Sequence, residues 1–233
     1  KRHARASIPQ RERRLVRRGS QFLSAHWSHV TLAWLGAALA LLLAWADPQW
    51  PKTQPLWQHV AMIDITQSMN TRDMLLPVPG GVGGAMAADS RLAFVRHALS
   101  RAVGDLPCGS TLGLGVFTEY RSLLLLAPLE VCSHYDELLA VIGRIDGRMA
   151  WASSSEVTRG VESALRVADV LALADKADPP SVIFITDGHE SPPLRGGVLP
   201  SIDLPQRPAP GWIAGVGGDA PMPIPKFDPA GRA

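Results

Sequence analysis

In VAMIDITQSMN, residues 60–70, three oxygen-bearing side chains follow one another at every second position: Asp64, Thr66 and Ser68. They come directly after a short apolar run, so a buried strand gives way to an extended turn where the polar residues begin. A second apolar run, SVIFITDG (181–188), also ends on a carboxylate, Asp187. Ser155 and Thr158 open a helical stretch, SEVTRGVESALRVADVLAL (155–173). Carboxylates beside neutral hydroxyls are hard oxygen donors, the set a small divalent cation takes while keeping several waters. Mg²⁺ is the expected ion, with Mn²⁺ or Ca²⁺ as alternatives. Two carboxylates leave such an ion electrophilic, so an acidic side chain of a partner can complete its shell. Taken singly, a Ser or Thr after a strand is usually a turn or cap residue. The joint pattern is what points to a metal site.

For Asp64 and Asp187 to meet, their two runs must lie side by side. The remaining elements make that arrangement natural. Strand 60–65 is followed by a loop, 71–89, that contains PVPGGVGG and lacks periodicity. Ser90 is placed to cap a helix over 91–106, with Leu92, Val95, Leu99, Ala102 and Val103 on one stripe. TLGLGVF (111–117) and SLLLLAP (122–128) form a hairpin joined by TEYR. Helices are expected over 133–145 and 155–173, the latter with Val157, Val161, Leu165 and Ala168 on one face. Strands 181–186 and 211–218 follow, and residues 189–210 and 219–233 are Pro- and Gly-rich loops. Alternating strands and helices predict an α/β fold: a doubly wound, mostly parallel sheet with one antiparallel edge strand supplied by the hairpin. Such sheets bind ligands at the carboxyl ends of their strands, near a topological switch point.

The formal charge of +2 is unevenly distributed. Residues 1–18 hold eight of the 23 Lys and Arg and one acid, Glu12, whereas 15 basic and 20 acidic residues lie beyond residue 46. The basic character therefore belongs to a tail that abuts HVTLAWLGAALALLLAWA (29–46), a segment of 18 residues without a charge. This placement argues against a nucleic-acid partner. Trp27, Trp34, Trp45 and Trp50 lie near the segment's ends, as interfacial aromatics do. The expected organisation is a basic cytoplasmic tail (1–28), an uncleaved transmembrane anchor (29–46), a linker (47–55) and one α/β domain (56–233) whose C-terminal end is truncated. A signal peptide or a buried core helix is the alternative for 29–46. Positive residues on the N-terminal side place the domain outside the cytoplasm, on a single-pass inner-membrane protein facing the periplasm. In that oxidising space, Cys108 and Cys132, placed symmetrically about the hairpin, are expected to form a disulfide at its open end.

DITQS (64–68) resembles the D-x-S-x-S motif of von Willebrand factor A (vWA) domains, with Thr66 in place of the first serine. FITDG (184–188) is similar to the family's strand-ending T-D-G, and SEVTRGVESAL (155–165) to the segment carrying its third-loop hydroxyl. Aligned on Gly160, that hydroxyl is Ser155 rather than Thr158. The resemblance covers residues 56–218 and implies a metal-ion-dependent adhesion site built by Asp64, Thr66, Ser68, Ser155 and Asp187. In it the hydroxyls bind the ion, the aspartates act mainly through waters, and an acidic partner residue supplies the last ligand. DITQSMNTRDM, RLAFVRHAL, LPCGSTLGLGVFTEYRS and LEVCSHY look most like the MxaL-like proteins of bacterial methanol-oxidation gene clusters. That likeness implies an accessory role, with other vWA proteins and a MoxR-type AAA+ ATPase, in maturing quinone-dependent methanol dehydrogenase, including its calcium insertion.

An enzyme is the rival class. A Mg²⁺-dependent haloacid-dehalogenase-type phosphatase needs D-x-D, and the second acid is Thr66 here. A dinucleotide fold needs G-x-G-x-x-G directly after the first strand, where Asp64 stands. A serine hydrolase on Ser68 and His189 lacks the glycines of a nucleophile elbow. No catalytic residue is therefore assigned, and the protein is expected not to be an enzyme. A structural vWA domain with an inactive metal site is the third reading, since Thr66 and Ser155 replace commoner residues. His189 and Glu190, beside Asp187, are expected to be solvated loop residues.

Overall fold

The structure is a computed structural model that describes residues 29–46, 55–78, 80, 84–194, 196 and 200–225. The expected basic tail, Trp27, Trp50 and nearly all of the linker lie outside these residues. The chain divides into two units, Lys1–Thr53 and Gln54–Ala233. The first contains α1 (His29–Ala46), a helix of 18 residues with mean hydropathy 1.8, long and apolar enough to cross a membrane.

The second unit runs β1 (Gln58–Asp64), β2 (Met74–Pro77), β3 (Met86–Asp89), α2 (Arg91–Asp105), β4 (Thr111–Thr118), β5 (Arg121–Glu130), α3 (Tyr135–Arg144), α4 (Val157–Asp175), β6 (Ser181–Thr186) and β7 (Gly211–Gly215). Its main sheet has the order β5-β4-β1-β6-β7. The pairs β1–β4, β1–β6 and β6–β7 are parallel and β4–β5 is antiparallel. This is the expected doubly wound, mostly parallel α/β sheet with one antiparallel edge strand. The chain passes from β1 outward to β4 and β5, then returns to the other side of β1 for β6. The strand order reverses at β1 and β6, and both point their carboxyl ends the same way.

The centre of β1, residues 60–63, is apolar because both of its faces are covered. Ala61 and Ile63 join one core with Leu92, Val95, Leu99 and Val103 of α2 and Leu138 and Ile142 of α3. Val60 and Met62 point to the opposite core, with Phe117, Phe184 and Ala164 and Ala168 of α4. The two-residue alternation of a strand makes this division. Each fully buried large side chain contributes about 1.5–3 kcal/mol of transfer free energy. Ser90 caps α2 as expected, its Oγ accepting from Ala93 N at 3.1 Å. Ala102, expected on the buried stripe of α2, is exposed.

The buried face of α4 is centred on Gly160, Ala164 and Ala168, with Val157, Val161 and Leu165 flanking it. The four residues expected on the apolar face all pack against this core, and Gly160 and Ala164 join them at its centre. Small residues at four-residue spacing let the helix backbone lie against the Phe117 ring, and a Cβ at Gly160 would overlap that ring. Loop 71–89 is not irregular throughout: β2 and β3 pair antiparallel within it, from Met74↔Asp89 to Pro77↔Met86. Most of this hairpin is exposed, so no burial pattern marks it in the sequence. The last strand ends at Gly215, although Val216 N still donates to Thr186 O of β6 at 3.0 Å. Cys108 and Cys132 are bonded across the open end of the β4–β5 hairpin, with Cα atoms 5.3 Å apart. The Glu130 carboxylate sits beside that bridge and accepts from Gly109 N and Ser133 N, both at 2.6 Å.

Candidate metal centre

Asp64 is the last residue of β1 and is fully buried. Its Oδ1 accepts from Thr66 N at 2.8 Å and from Thr66 Oγ1 at 2.7 Å. Its Oδ2 accepts from Thr186 Oγ1 at 2.6 Å. Burial pushes the Asp64 carboxyl up from its ordinary range, against the opposing pull of the hydrogen bonds from Thr186 and Thr66, and the nearby charge of Asp187 pushes it further up. A carboxylate so desolvated gains more than an exposed one from a cation placed beside it.

Thr66 and Ser68 do not alternate along an extended turn, as their spacing predicts. Residues Gln67–Asn70 close a single 3₁₀ turn, and this turn brings Ser68 Oγ to 3.3 Å from Thr66 Oγ1. Because Thr66 donates its hydroxyl proton to Asp64, its oxygen lone pairs remain available to a positive centre. Thr186 was missed as a site residue. Its place before Asp187 carried no sign that its hydroxyl would reach across to β1.

Ser155 comes from the segment before α4. Its N donates to Ser191 O at 2.8 Å, and Ser191 N donates back to its carbonyl at 2.9 Å. It also bridges in parallel to Glu119, just beyond β4. The segment is thus laced to the chain beyond β4 on one side and beyond β6 on the other, the two strands that flank β1. Ser155 is 1% exposed, and its Oγ has no hydrogen-bond partner. Among the described residues only His59 Nδ1 and Thr71 Oγ1 share that condition. An unpaired buried hydroxyl costs about 1–3 kcal/mol, and a cation ligated by Ser155 would remove that cost. Thr158, in contrast, is engaged: its N and Oγ1 both lie 3.3 Å from Glu190 Oε1. Glu190 is therefore tied to the start of α4 rather than free in solvent, which corrects one expectation. His189 is exposed, as expected.

Asp187 follows β6, and its side chain is 2% exposed. Its Oδ1 accepts from His189 N at 3.0 Å, and its Oδ2 accepts from Arg91 Nη1 at 2.6 Å. Arg91 also holds Asp73, and it keeps the Asp73 carboxyl below the usual range despite the opposing effect of burial. Neither Arg91 nor Asp73 was foreseen. They lie 96 and 114 residues before Asp187 in the chain, and no local motif links the three.

The donor chemistry of Asp64, Thr66, Ser68, Ser155 and Asp187 fits a small divalent cation. Carboxylate and hydroxyl oxygens are gathered at one rim, and one buried hydroxyl is left without a proton acceptor or donor. A second cluster, Cys108, Glu130 and Cys132, brings three potential ligand atoms within 4.8 Å of one another. Its sulfurs are joined in the disulfide, so it offers no thiolate, and Glu130 is occupied by backbone amides.

No family model matches the chain, and no curated protein matches it. Solved structures do. An aerotolerance-related membrane protein from Bacteroides fragilis NCTC 9343 aligns over 76% of this chain and 79% of its own, with 18% identity and a TM-score of 0.50. A von Willebrand factor type A protein from Catenulispora acidiphila aligns over 61% of this chain and 29% of its own, with 17% identity and a TM-score of 0.41. At such identities the likeness is one of fold, and the first of these structures extends it over most of both chains.

Proposed function

We propose that the chain is a membrane-anchored vWA domain that binds a divalent ion, Mg²⁺ by preference over Mn²⁺ or Ca²⁺, and recognises an acidic group of a protein partner. The ion's ligands are the hydroxyls of Thr66, Ser68 and Ser155, with Asp64 and Asp187 acting from behind. The observation that carries this reading is Ser155 Oγ, buried and unpaired in a segment laced over the rim to which β1 delivers Asp64, Thr66 and Ser68. When bound, the ion supplies an electrophilic position for a carboxylate oxygen. The protein's own residues would hold its other side from within the fold, since Asp64, Thr66, Ser68 and Ser155 are each at most 4% exposed.

α1 anchors the protein in the inner membrane, and the basic residues before it keep the N-terminus in the cytoplasm and the domain in the periplasm. The disulfide suits that compartment. The resemblance to MxaL-like proteins makes the partner a component of quinone-dependent methanol dehydrogenase maturation, including calcium insertion, together with other vWA proteins and a MoxR-type ATPase. The role is recognition rather than catalysis. A phosphatase of the haloacid-dehalogenase type would need an acid at position 66, and Thr66 is instead a donor to Asp64. The ion pair of Asp187 with Arg91 favours one alternative, a structural vWA domain whose metal site is inactive.

The test is calorimetric titration of Mg²⁺, then Mn²⁺ and Ca²⁺, into the full chain in detergent micelles, beside Asp64→Asn. Saturable binding that weakens at least about tenfold in the variant is the expected result, a tenfold change being about 1.4 kcal/mol. Folded protein that binds none of the three ions would leave the structural reading in its place.

A further inference from the structure

Arg91 stands between two carboxylates at the rim. Its Nη1 donates to Asp187 Oδ2 at 2.6 Å, and its Nε lies 3.0 Å from both oxygens of Asp73. Its Nη2 also donates to Asp73 Oδ2. The three side chains are mostly buried, at 14% exposure for Arg91, 6% for Asp73 and 2% for Asp187. Several independent contacts hold this arrangement. Arg91 is the first residue of α2, and its N donates to Thr71 O at 3.1 Å, directly after the turn that carries Ser68. Gly218 N donates to Asp73 Oδ2 at 3.1 Å, and a Cβ at Gly217 would lie 3.4 Å from Arg91 Cζ.

A guanidinium cannot lose its charge in a protein. A fixed positive charge therefore sits on one of the two carboxylates that a divalent ion would use. In a buried site, repulsion between that charge and the ion is weakly screened by salt. Asp73 moderates the effect because most of the guanidinium's contacts go to it rather than to Asp187. Without Asp73, the whole charge would fall on Asp187. With Arg91 in place, Asp64 is the one carboxylate of the centre without a cation partner among the described residues.

We propose that Arg91 is a built-in counter-charge of the metal centre: it competes with the ion for Asp187, keeps the intrinsic affinity low, and makes ion occupancy depend on negative charge brought by the partner's acidic group. This inference rests on the metal-and-acid reading above. It turns two weak events into one coupled event, because linkage is reciprocal: a carboxylate that stabilises the ion is itself bound more tightly when the ion is present. Arg91 also joins the turn after Ser68, the start of α2 and the segment after β7, so ion entry at Asp187 bears on all three.

The test is Mn²⁺ titration into the full chain in micelles for the wild type, Arg91→Gln, Arg91→Lys and Asp73→Asn, with a melting curve of each ion-free protein. Arg91→Gln is expected to bind Mn²⁺ about tenfold or more tightly than the wild type, although it melts earlier. Arg91→Lys keeps the charge and is expected to stay within about threefold of the wild type. Asp73→Asn is expected to bind more weakly. A purely structural role would weaken binding in all three variants, so the opposite signs at positions 91 and 73 carry the test. Wild-type binding that Arg91→Gln fails to tighten would overturn the inference and leave the metal reading standing. Should Arg91→Gln not fold, Arg91→Lys and Asp73→Asn decide together: weakened binding in both, or unchanged or tighter binding in Asp73→Asn, overturns it. Absence of binding in all the folded proteins would overturn the metal reading itself, and the inference with it.

Discussion

At the scale of single residues, two side chains show how position converts ordinary groups into specialised ones. Ser155 is a common residue before a helix, yet its hydroxyl is buried and unpaired because its backbone, not its side chain, makes the bridges to Glu119 and Ser191. Glu130 is mostly free of the core, yet its carboxyl is held down to about 2, chiefly by the backbone N–H groups of Gly109 and Ser133. Those two residues adjoin the bonded cysteines, so the carboxylate closes the hairpin end with the disulfide. Its folded pKa lies below its unfolded value near 4.5. The stabilisation it gives is therefore complete above about pH 4.5 and lost as the pH falls towards 2. Glu130→Gln is expected to be less stable than the wild type at pH 6 and to lose less stability between pH 4.5 and pH 2. Urea melts at a series of pH values check this, and parallel curves for the two proteins would refute it.

At the scale of elements, packing turns on backbone approach. α4 lies close to the sheet because Gly160 meets the Phe117 ring without a side chain. Gly143, on α3, has nothing within 4 Å of the Cβ it lacks. Both glycines gain the same helix propensity when replaced by alanine, about 0.8–1 kcal/mol. Gly143→Ala is therefore expected to stabilise the protein by up to about 1 kcal/mol. Gly160→Ala is expected to destabilise it by about 1–3 kcal/mol, because a Cβ there overpacks a fixed ring. Chemical denaturation of the pair checks the contrast, and equal effects would contradict this account of α4.

The elements also show what could be read from the chain beforehand. Helix α2 was legible because Ser90 caps it and Leu92, Val95, Leu99 and Val103 repeat at helical spacing towards one core. The β4–β5 hairpin and its disulfide were legible because apolar strands and cysteines sit symmetrically about one turn. Asp64, Thr66 and Ser68 announced the rim because they interrupt an apolar strand. β2 and β3 were not legible, since their pairing is made by backbone groups on an exposed surface and leaves no pattern in side-chain polarity. Ala168 was expected on the core face of α4, but Gly160 and Ala164 were not, because a buried face of small residues has little hydrophobic contrast. Arg91 and Asp73 escaped because their meeting with Asp187 is a consequence of topology alone.

At the scale of the whole molecule, the doubly wound order puts β1 and β6 side by side at the strand-order reversal and sends both carboxyl ends to one rim. This topology gathers oxygen donors from segments more than 100 residues apart, such as Asp64 and Thr186. An ion bound there would join the chain beyond β1, the segment before α4 and the chain beyond β6, so its binding free energy would appear in global stability. At an ion concentration of 100 times Kd the gain is about 2.7 kcal/mol. Ser155 separates this effect from the stability of the ion-free fold.

The most direct measurement compares thermal unfolding of the wild type and Ser155→Ala, each with and without saturating Mg²⁺. The account predicts that Ser155→Ala melts at or above the wild type without the ion, since an unpaired buried hydroxyl has been removed. It further predicts that Mg²⁺ raises the melting temperature of the wild type and leaves that of Ser155→Ala nearly unchanged. An equal Mg²⁺ shift in both proteins, or none in the wild type, would contradict the assignment of this rim as a metal centre.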